Sequence, residues 1–471
     1  MKKYIICTAI AVLFLTTACN SDFIDKSPEL QVSEKSIFES STRLAAAIDG
    51  VYGLAKNQYF LGGFATVAGD NRSDDMMNYG NNSYTMRDTY MHAVNASSLE
   101  NDYMFYRAYL GINYANIIIN GIENTYANSL PCDGQTAKKY LQECKFIRAI
   151  SFYYLSQLFG QPYAYNPDAS NIPMRTEAVT SSGKNDCPPS TIKEVLEQIL
   201  SDTEDVSALP TGYGASGFSA TKASQAAAHA LRMRVYMCME NWSKAIEEGD
   251  QITGFSLIPS IAKMFDSPYA NTAENIFSIP MTDSDKSGSQ SHPSGFFTPE
   301  AGDITIVNDI NGIAVSYGIA ADARTKFIVK KNKYSFCEKY NEFSTRLEWI
   351  PIFRYAEVLL NLSECYYNIG NEEKALACLK QVRTRSIPAD KDPIIDYKES
   401  GNSLWTAIDN ERRWEFISEG LRGYDISRRA EDYRHPLSDG SWVVVATPDD
   451  RTSYCWAFPI YETTVNKSLN E

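Results

Sequence analysis

The sequence predicts a mainly α-helical protein made of tetratricopeptide-like helix pairs, with long irregular insertions and a few short strands. Apolar residues recur at helical spacing through most of the chain. Two segments far apart in the sequence repeat one helix–turn–helix pattern. Two further stretches are rich in glycine, asparagine, serine, aspartate and proline, and they interrupt the helices.

The chain begins with a predicted export signal. Two lysines precede an apolar run from Ile5 to Leu15, which is too short to span a bilayer and fits the core of a secretory signal. Small residues then lead to Cys19, as in the bacterial lipobox, although Thr16 stands where leucine is usual. We predict a lipoprotein signal peptide over residues 1–18 and lipidation of Cys19, which would attach the protein to a membrane. An ordinary cleaved signal is the alternative.

Residues 19–471 are predicted to form a single helical domain. This part is acidic, because loss of the two lysines takes the formal charge from −14 to −16, and it contains no basic run. A phosphate backbone would be repelled, so we expect no nucleic-acid partner. No second apolar run approaches the roughly 20 residues that a membrane-spanning helix needs.

Helices are predicted in order from the apolar periodicity. The first lies near residues 36–56, and Ser97-x-x-Glu100 resembles a capping box that opens the second. A third carries apolar residues from Leu141 to Leu158, and Thr191-x-x-Glu194 opens a fourth. Further helices are predicted near 221–239, 242–252, 352–369, 372–386 and 404–418.

Two turns between helices repeat each other. The segment ENWSKAI at 240–246 matches GNEEKAL at 370–376 in form, and each lies between two predicted helices. A tight turn followed by lysine, alanine and an aliphatic residue is typical of tetratricopeptide-like hairpins, in which the small alanine lets the paired helices approach. The copies are about 130 residues apart, so we predict dispersed helix pairs rather than a regular array.

Long irregular insertions are predicted at about 57–97 and 254–350. They contain short strand-like pieces at Ile276–Ile279 and Ile304–Val307. A β-hairpin of Trp442–Ala446 with Tyr454–Phe458 is predicted after the Asp439-Gly440 turn.

The sequence gives no support for a metal-binding or a dinucleotide-binding site. The cysteines show no CxxC pair and the four histidines no HExxH spacing, so we expect no metal site and interpret most cysteines as small buried hydrophobes. Gly212-x-Gly214-x-x-Gly217 follows a predicted helix end, not a strand, so it does not indicate a dinucleotide site.

The densest charge cluster spans residues 411–428. Glu415 and Glu419 lie four residues apart on one helical face, so paired-carboxylate catalysis has to be considered. The neighbouring arginines favour another interpretation, because they would keep both carboxylates ionised, whereas an acid catalyst needs a raised pKa. We predict a structural ion-pair network of Arg412, Glu415, Glu419, Arg422, Asp425 and Arg428.

Four long segments, in the same order, give the chain a family resemblance. They are Glu143 to Gly160, Leu209 to Tyr236, IFRYAEVLLNLSE at 352–364 and ERRWEFISEGLRGYDISR at 411–428. Over nearly the whole length the chain resembles the SusD/RagB family of Bacteroidetes outer-membrane nutrient-binding lipoproteins. Its C-terminal Pro-Ile-Tyr-Glu at 459–462 departs from the family's P-I-P-x-x-E pattern.

The resemblance implies a SusD-like helical lid on a SusC-like TonB-dependent outer-membrane transporter. Such a protein captures an oligosaccharide or a peptide at the cell surface and passes it on. It is not an enzyme and carries no cofactor. Lipid at Cys19 would hold it on the outer membrane, exposed at the cell surface.

The family's ligand residues lie largely in variable insertions, so candidates come from chemistry. Sugar faces pack on aromatic rings, and hydroxyl groups bind asparagine, aspartate or arginine. The segment from Asp70 to Tyr84 offers both kinds of group, and His292 lies near two phenylalanines. The candidates are Asp74, Asp75, Asn78, Tyr79, Tyr84, Phe296 and Phe297, with Tyr79 or Tyr84 as a stacking platform. The alternative is that these aromatics only anchor long loops.

Two other functions stay open from the sequence. A surface glycoside hydrolase of helical-barrel type would also be acidic, aromatic and exported, and would need a carboxylate in a loop cleft. A protein-binding adhesin would use the helix pairs themselves. The sequence does not distinguish starch, host glycan, pectin fragment and peptide as the nutrient.

Overall fold

A computed structural model describes residues 34–469, apart from residues 82, 182–185, 266–271, 308–320, 393, 395–397 and 438. The predicted signal peptide and Cys19 lie outside the described residues. The predicted mainly α-helical class is confirmed. The described residues form sixteen α-helices, numbered α1 to α16 in chain order: Glu34–Ile37, Ser41–Ala55, Phe64–Asn71, Arg87–Tyr90, Leu99–Asn120, Gly134–Phe159, Ile192–Asp202, Gln225–Cys238, Trp242–Asp250, Ser294–Phe297, Tyr355–Asn368, Glu372–Ser386, Gly401–Glu415, Arg422–Arg428, Arg451–Tyr454 and Ile460–Val465.

The described residues also form ten short strands. They are numbered β1 to β10 in chain order: Met76–Asn78, Ser170–Pro173, Pro189–Thr191, Asn275–Ile279, Ile304–Ile306, Ile328–Lys331, Tyr334–Cys337, Ile350–Arg354, Tyr433–Pro436 and Trp442–Ala446. No helix among the described residues has both the length and the apolar content needed to cross a membrane.

The two repeated turns have the same backbone geometry. They join α8 to α9 and α11 to α12. The side chain of Asn241 accepts a hydrogen bond from the Lys244 amide at 3.3 Å, and Asn371 accepts one from the Lys374 amide at 3.2 Å. The residue before each asparagine has a positive φ, 55° at Glu240 and 77° at Gly370. The sequence repeat therefore encodes one turn, in which an asparagine caps the second helix.

The two helix pairs pack on each other although they are distant in sequence. Helix α9, from the first pair, contacts α11, from the second. A Cβ atom at Gly249 would stand 2.8 Å from Leu362 Cδ2, so the helices approach closely there. On one side of the two pairs, helices α5, α6, α7 and α8 pack in sequence, each against the next. On the other side, α13 packs against α11 and α12. One cluster of buried apolar residues runs through these helices.

One predicted helix cap forms and another does not. Thr191 and Glu194 make the expected capping box at the start of α7. The box predicted at Ser97 and Glu100 is wrong: the buried Glu100 carboxylate accepts from the amide of Thr89 at 3.1 Å instead. A tertiary partner replaces the local one, because a buried carboxylate needs hydrogen bonds wherever the fold supplies them.

The two insertions meet in one sheet. Strand β1, from the first insertion, pairs with β5 from the second, with Met76 opposite Ile306 and Asn78 opposite Ile304. Strands β7 and β6 follow, so the strand order is β1-β5-β7-β6. We call these four strands the insertion sheet. Pairing of β4 with β8 joins the two ends of the second insertion at its base.

The predicted C-terminal hairpin has a different partner strand. Strand β10 pairs with the preceding β9, with Val443 opposite His435, and residues 451–454 are helical. The positive φ of Gly440, 84°, lets the chain turn back between β9 and β10. The predicted position of the turn is confirmed, but the strand that pairs with β10 is β9, which precedes the turn, rather than residues 454–458, which follow it.

Candidate functional site

The exposed end of the insertion sheet carries a pair of tyrosines. Side chains alternate along β1, so Met76 and Asn78 are buried while Met77 and Tyr79 face outward. The Tyr79 amide donates to the carbonyl of Asp303 at 2.7 Å, which continues the pairing of β1 with β5. The ring of Tyr79 lies 4.7 Å from that of Tyr334, tilted by 58°.

Tyr79 is the more accessible member of this pair, and Tyr334 is half-buried. The side chain of Tyr79 is 46% exposed. Its hydroxyl group donates to Met77 Sδ at 3.4 Å. Partial burial, and then the neighbouring Tyr334, raise the pKa of Tyr79, so the hydroxyl group keeps its proton. Tyr334 is not among the residues predicted from the sequence, although the aromatic–polar–aromatic order of Tyr334, Ser335 and Phe336 is typical of a strand.

Asn78 shapes the loop that presents the tyrosines. Its side-chain amide donates to the carbonyl of Thr85 at 2.8 Å, and its oxygen accepts from the amide of Gly80 at 2.8 Å. Asn78 is buried, so it organises the loop rather than facing solvent. Tyr84, beside Thr85, is 51% exposed. Of the candidates in this loop, Tyr79 and Tyr84 are therefore the two on the surface.

The two acidic candidates are engaged by arginines. Asp74 accepts two hydrogen bonds from Arg422, at 2.7 and 2.9 Å. Asp75 is buried and forms an ion pair with Arg413. Burial opposes ionisation of Asp74, but Arg422 outweighs it and holds the pKa of Asp74 well below its usual range. Both carboxylates are used within the protein, against the prediction that they face a ligand.

Phe296 and Phe297 lie in the core rather than on a surface. Each is 1% exposed, in helix α10. His292 is buried as well and contacts Ser294 Oγ through Nδ1 and the carbonyl of Glu348 through Nε2. The protein itself covers these side chains, so they offer no surface to a ligand.

The predicted charge cluster forms extensive buried ion pairs. Glu415 accepts from Arg354 at 2.6 Å, and Glu419 accepts from the same guanidinium group at 2.7 Å. Burial alone would raise the pKa of Glu415, but Arg385, Arg354 and other cations hold it well below its usual range. Glu415 is therefore ionised and occupied, unlike a catalytic acid.

The rest of the cluster is organised around α14. Arg412 donates to Asp425 at 2.9 Å, and Arg428 donates to Glu364 of α11 at 2.6 and 2.7 Å. The cluster thus joins α14 to the stacked helix pairs. No group of three or more metal-ligating side chains is found in the described part of the chain.

Fold and surface together define a class of protein: stacked helix pairs that carry an aromatic surface on a sheet built from two insertions. The profile of the SusD family matches residues 317–468. A second profile, described as starch-binding associating with outer membrane, matches residues 22–237.

Solved structures and related sequences agree with these matches. A SusD superfamily protein from Bacteroides fragilis is 38% identical, with a TM-score of 0.84, and the match covers 92% of this chain and 100% of that one. A putative sugar binding protein from Bacteroides vulgatus shares the fold at 19% identity and a TM-score of 0.76, over 91% and 97% of the two chains. SusD-like protein P25 of Formosa agariphila is 21% identical, over 89% of each chain. The chain belongs to the SusD family.

Proposed function

We propose that this protein is a cell-surface lipoprotein that binds a nutrient glycan without cleaving it and delivers it to a TonB-dependent outer-membrane transporter. The observation that carries the proposal is the contact of the exposed Tyr79 with the half-buried Tyr334 at the end of the insertion sheet, with the exposed Tyr84 on the adjoining loop. Aromatic faces are the surfaces on which sugar C–H groups pack.

Relatives and the N-terminal sequence support the wider role. One matching profile is described as starch-binding and outer-membrane associated, and one structural neighbour as a putative sugar binding protein. The sequence before Cys19 has the pattern of a lipoprotein signal. A shallow aromatic surface binds weakly by itself, and a tether beside a transporter would raise the local ligand concentration.

Binding without catalysis fits the carboxylates of the charge cluster. Glu415 and Glu419 are both occupied by Arg354. A hydrolase requires one carboxyl group that holds a proton and another that is free to attack or to activate water. Release of reducing sugar by the purified protein would contradict this part of the proposal.

A glycan array with the purified mature protein tests ligand binding. Wild-type protein is expected to bind at least one oligosaccharide class. Tyr79→Ala and Tyr334→Ala should each weaken that binding about three- to tenfold, because each removes one stacking ring. Tyr165→Ala is the matched control, since Tyr165 is also exposed but lies outside the insertion sheet. Unchanged affinity in both test variants would refute the assigned surface.

Attachment and partner are tested in cells of the source bacterium. Cys19→Ala should release the protein from the outer-membrane fraction, because no acyl chain can be attached. Affinity purification of wild-type protein from detergent-solubilised membranes should recover a large β-barrel protein. Unchanged membrane association of the Cys19→Ala variant would exclude the lipid anchor.

A further inference from the structure

A pocket lies on the helical body, outside the insertion sheet. Its volume is about 240 Å³, and it lies between α5, residues 175–179 and α16. It shares no residue with the insertion sheet. Pockets for drug-sized ligands are about 300–1,000 Å³, so this one suits a single ring rather than an extended molecule.

Four of the twelve residues that line the pocket are aromatic. Phe105, Tyr106 and Tyr109 line it from α5, and Tyr461 lines it from α16. The rings of Tyr106 and Tyr461 are 6.3 Å apart and nearly perpendicular, at 87°. Tyr106 is 48% exposed, so its ring is open to solvent at the mouth of the pocket. Two perpendicular rings form a corner that can contact the face and the edge of a flat ligand.

Polar groups complete the pocket. Arg175 donates to Glu462 at 2.9 Å, and both residues line it. The buried hydroxyl group of Tyr461 has no hydrogen-bond partner among the described residues. Almost none of the surface of this oxygen is accessible to solvent, so the polar groups open to a ligand are those of Arg175 and Glu462, whose side chains are 15% and 10% exposed.

The charges define the chemistry of that ligand. Arg175 is paired with Glu462, so the pocket presents one positive and one negative group, and neither an anion nor a cation is favoured. The pair offers a donor and an acceptor side by side, which matches neighbouring hydroxyl groups. An aromatic corner with such a polar end suits a ring with an apolar face and a hydroxylated edge.

We infer that this pocket is a second saccharide-binding site, which takes one neutral pyranose residue. The inference rests on the proposed glycan-binding function and adds a second attachment point to it. A long glycan held at both the insertion sheet and this pocket would dissociate more slowly than from either site alone.

Saturation-transfer NMR on the full mature protein tests the inference. The probes are methyl glycosides of glucose, galactose, mannose and N-acetylglucosamine. Val465→Trp should fill the mouth of the pocket, where Val465 is exposed, and abolish the signal of the bound glycoside. Tyr106→Ala should weaken binding about three- to tenfold. Tyr114→Ala is the matched control, because Tyr114 is equally exposed on α5 but does not line the pocket.

The outcomes separate this inference from the proposed function. Glycoside signals that persist in Val465→Trp but disappear in Tyr79→Ala would overturn the second site and leave glycan binding intact. The same holds if wild-type protein binds oligosaccharides on the array but no methyl glycoside. Binding of N-acetylphenylalanine amide in place of every glycoside would identify a peptide pocket and overturn the inference. Absence of all glycan binding would refute both proposals.

Discussion

The carboxylate of Asp74 accepts two hydrogen bonds from the guanidinium group of Arg422, at 2.7 Å from Nε and 2.9 Å from Nη2. Asp74 precedes β1 in the first insertion, and Arg422 begins α14. Nearby, Asp75 pairs with Arg413, and Asp70 accepts from the amide of Gly420 at 3.0 Å. These contacts join the base of the loop that carries Tyr79 and Tyr84 to the helical body, so the charge cluster positions the candidate ligand surface.

Asp74→Asn should therefore destabilise the protein and disturb the loop that carries Tyr79 and Tyr84. The substitution removes the charge that faces Arg422, and we expect a loss of about 1–3 kcal/mol in the free energy of unfolding. Urea unfolding checks the value. Asp283→Asn is the control, because Asp283 forms an exposed ion pair with Lys286 and should change stability by less than about 0.5 kcal/mol. Equal effects would contradict a positioning role for Asp74.

Glu364 should make the fold sensitive to acid. Burial opposes its ionisation, but Arg428 and Arg429 outweigh burial and lower its pKa from 4.5 to about 2. Because the folded pKa is depressed, the stabilisation is complete above pH 4.5 and is lost as the pH falls towards 2. The loss should be about 3 kcal/mol. Urea unfolding at several pH values should show this slope in wild-type protein and a smaller one in Glu364→Gln.

Glu348 should have the opposite effect on the pH dependence of stability, because it destabilises the folded protein as the pH rises. Burial raises its pKa from 4.5 to about 7, and its Oε2 has no hydrogen-bond partner among the described residues. A raised pKa means that the folded state holds the proton more tightly, so stability falls as the pH rises from 4.5 to 7. Glu348→Gln should therefore be more stable than wild-type protein above pH 7, by up to about 3 kcal/mol. Greater stability of wild-type protein at pH 8 would contradict this assignment.

Gly370 should be important for its backbone conformation alone. Its φ is 77°, and a Cβ atom there would meet nothing within 4 Å. Gly370→Ala should cost about 1 kcal/mol, since an L-residue is strained in the left-handed region. Gly50→Ala is the control: that position is also open but lies inside α2, where alanine should stabilise by about 0.5–1 kcal/mol. Thermal unfolding should move in opposite directions for the two variants.

Local signals predicted the helical framework well. The capping box at Thr191 and the paired turns at Asn241 and Asn371 depend on residues three or four positions apart, so the sequence contains all the partners. Where a local signal competed with a distant partner, the prediction was wrong. Glu100 binds Thr89 rather than Ser97, and β10 pairs with β9 rather than with the residues after it.

The ligand candidates show why a surface is harder to predict than a helix. Tyr79 and Phe296 are both aromatic residues in glycine- and serine-rich insertions, yet one is exposed and the other is buried. Their difference depends on which elements pack above them. Tyr334 lies more than 250 residues from Tyr79 in the sequence and becomes its neighbour only because β5 and β7 bring the two insertions into one sheet.

The sequence by itself determined the helical class, the paired hairpins and the resemblance to a family, because each depends on local spacing or on motif order. The export signal before Cys19 stays a prediction. Only the tertiary structure decided which polar and aromatic side chains are free for a ligand. It assigned Asp74 and Asp75 to arginines, Phe296 and Phe297 to the core, and Tyr79 to the surface. Burial and ion pairing are properties of contacts between distant segments, and those contacts exist only after the chain has folded.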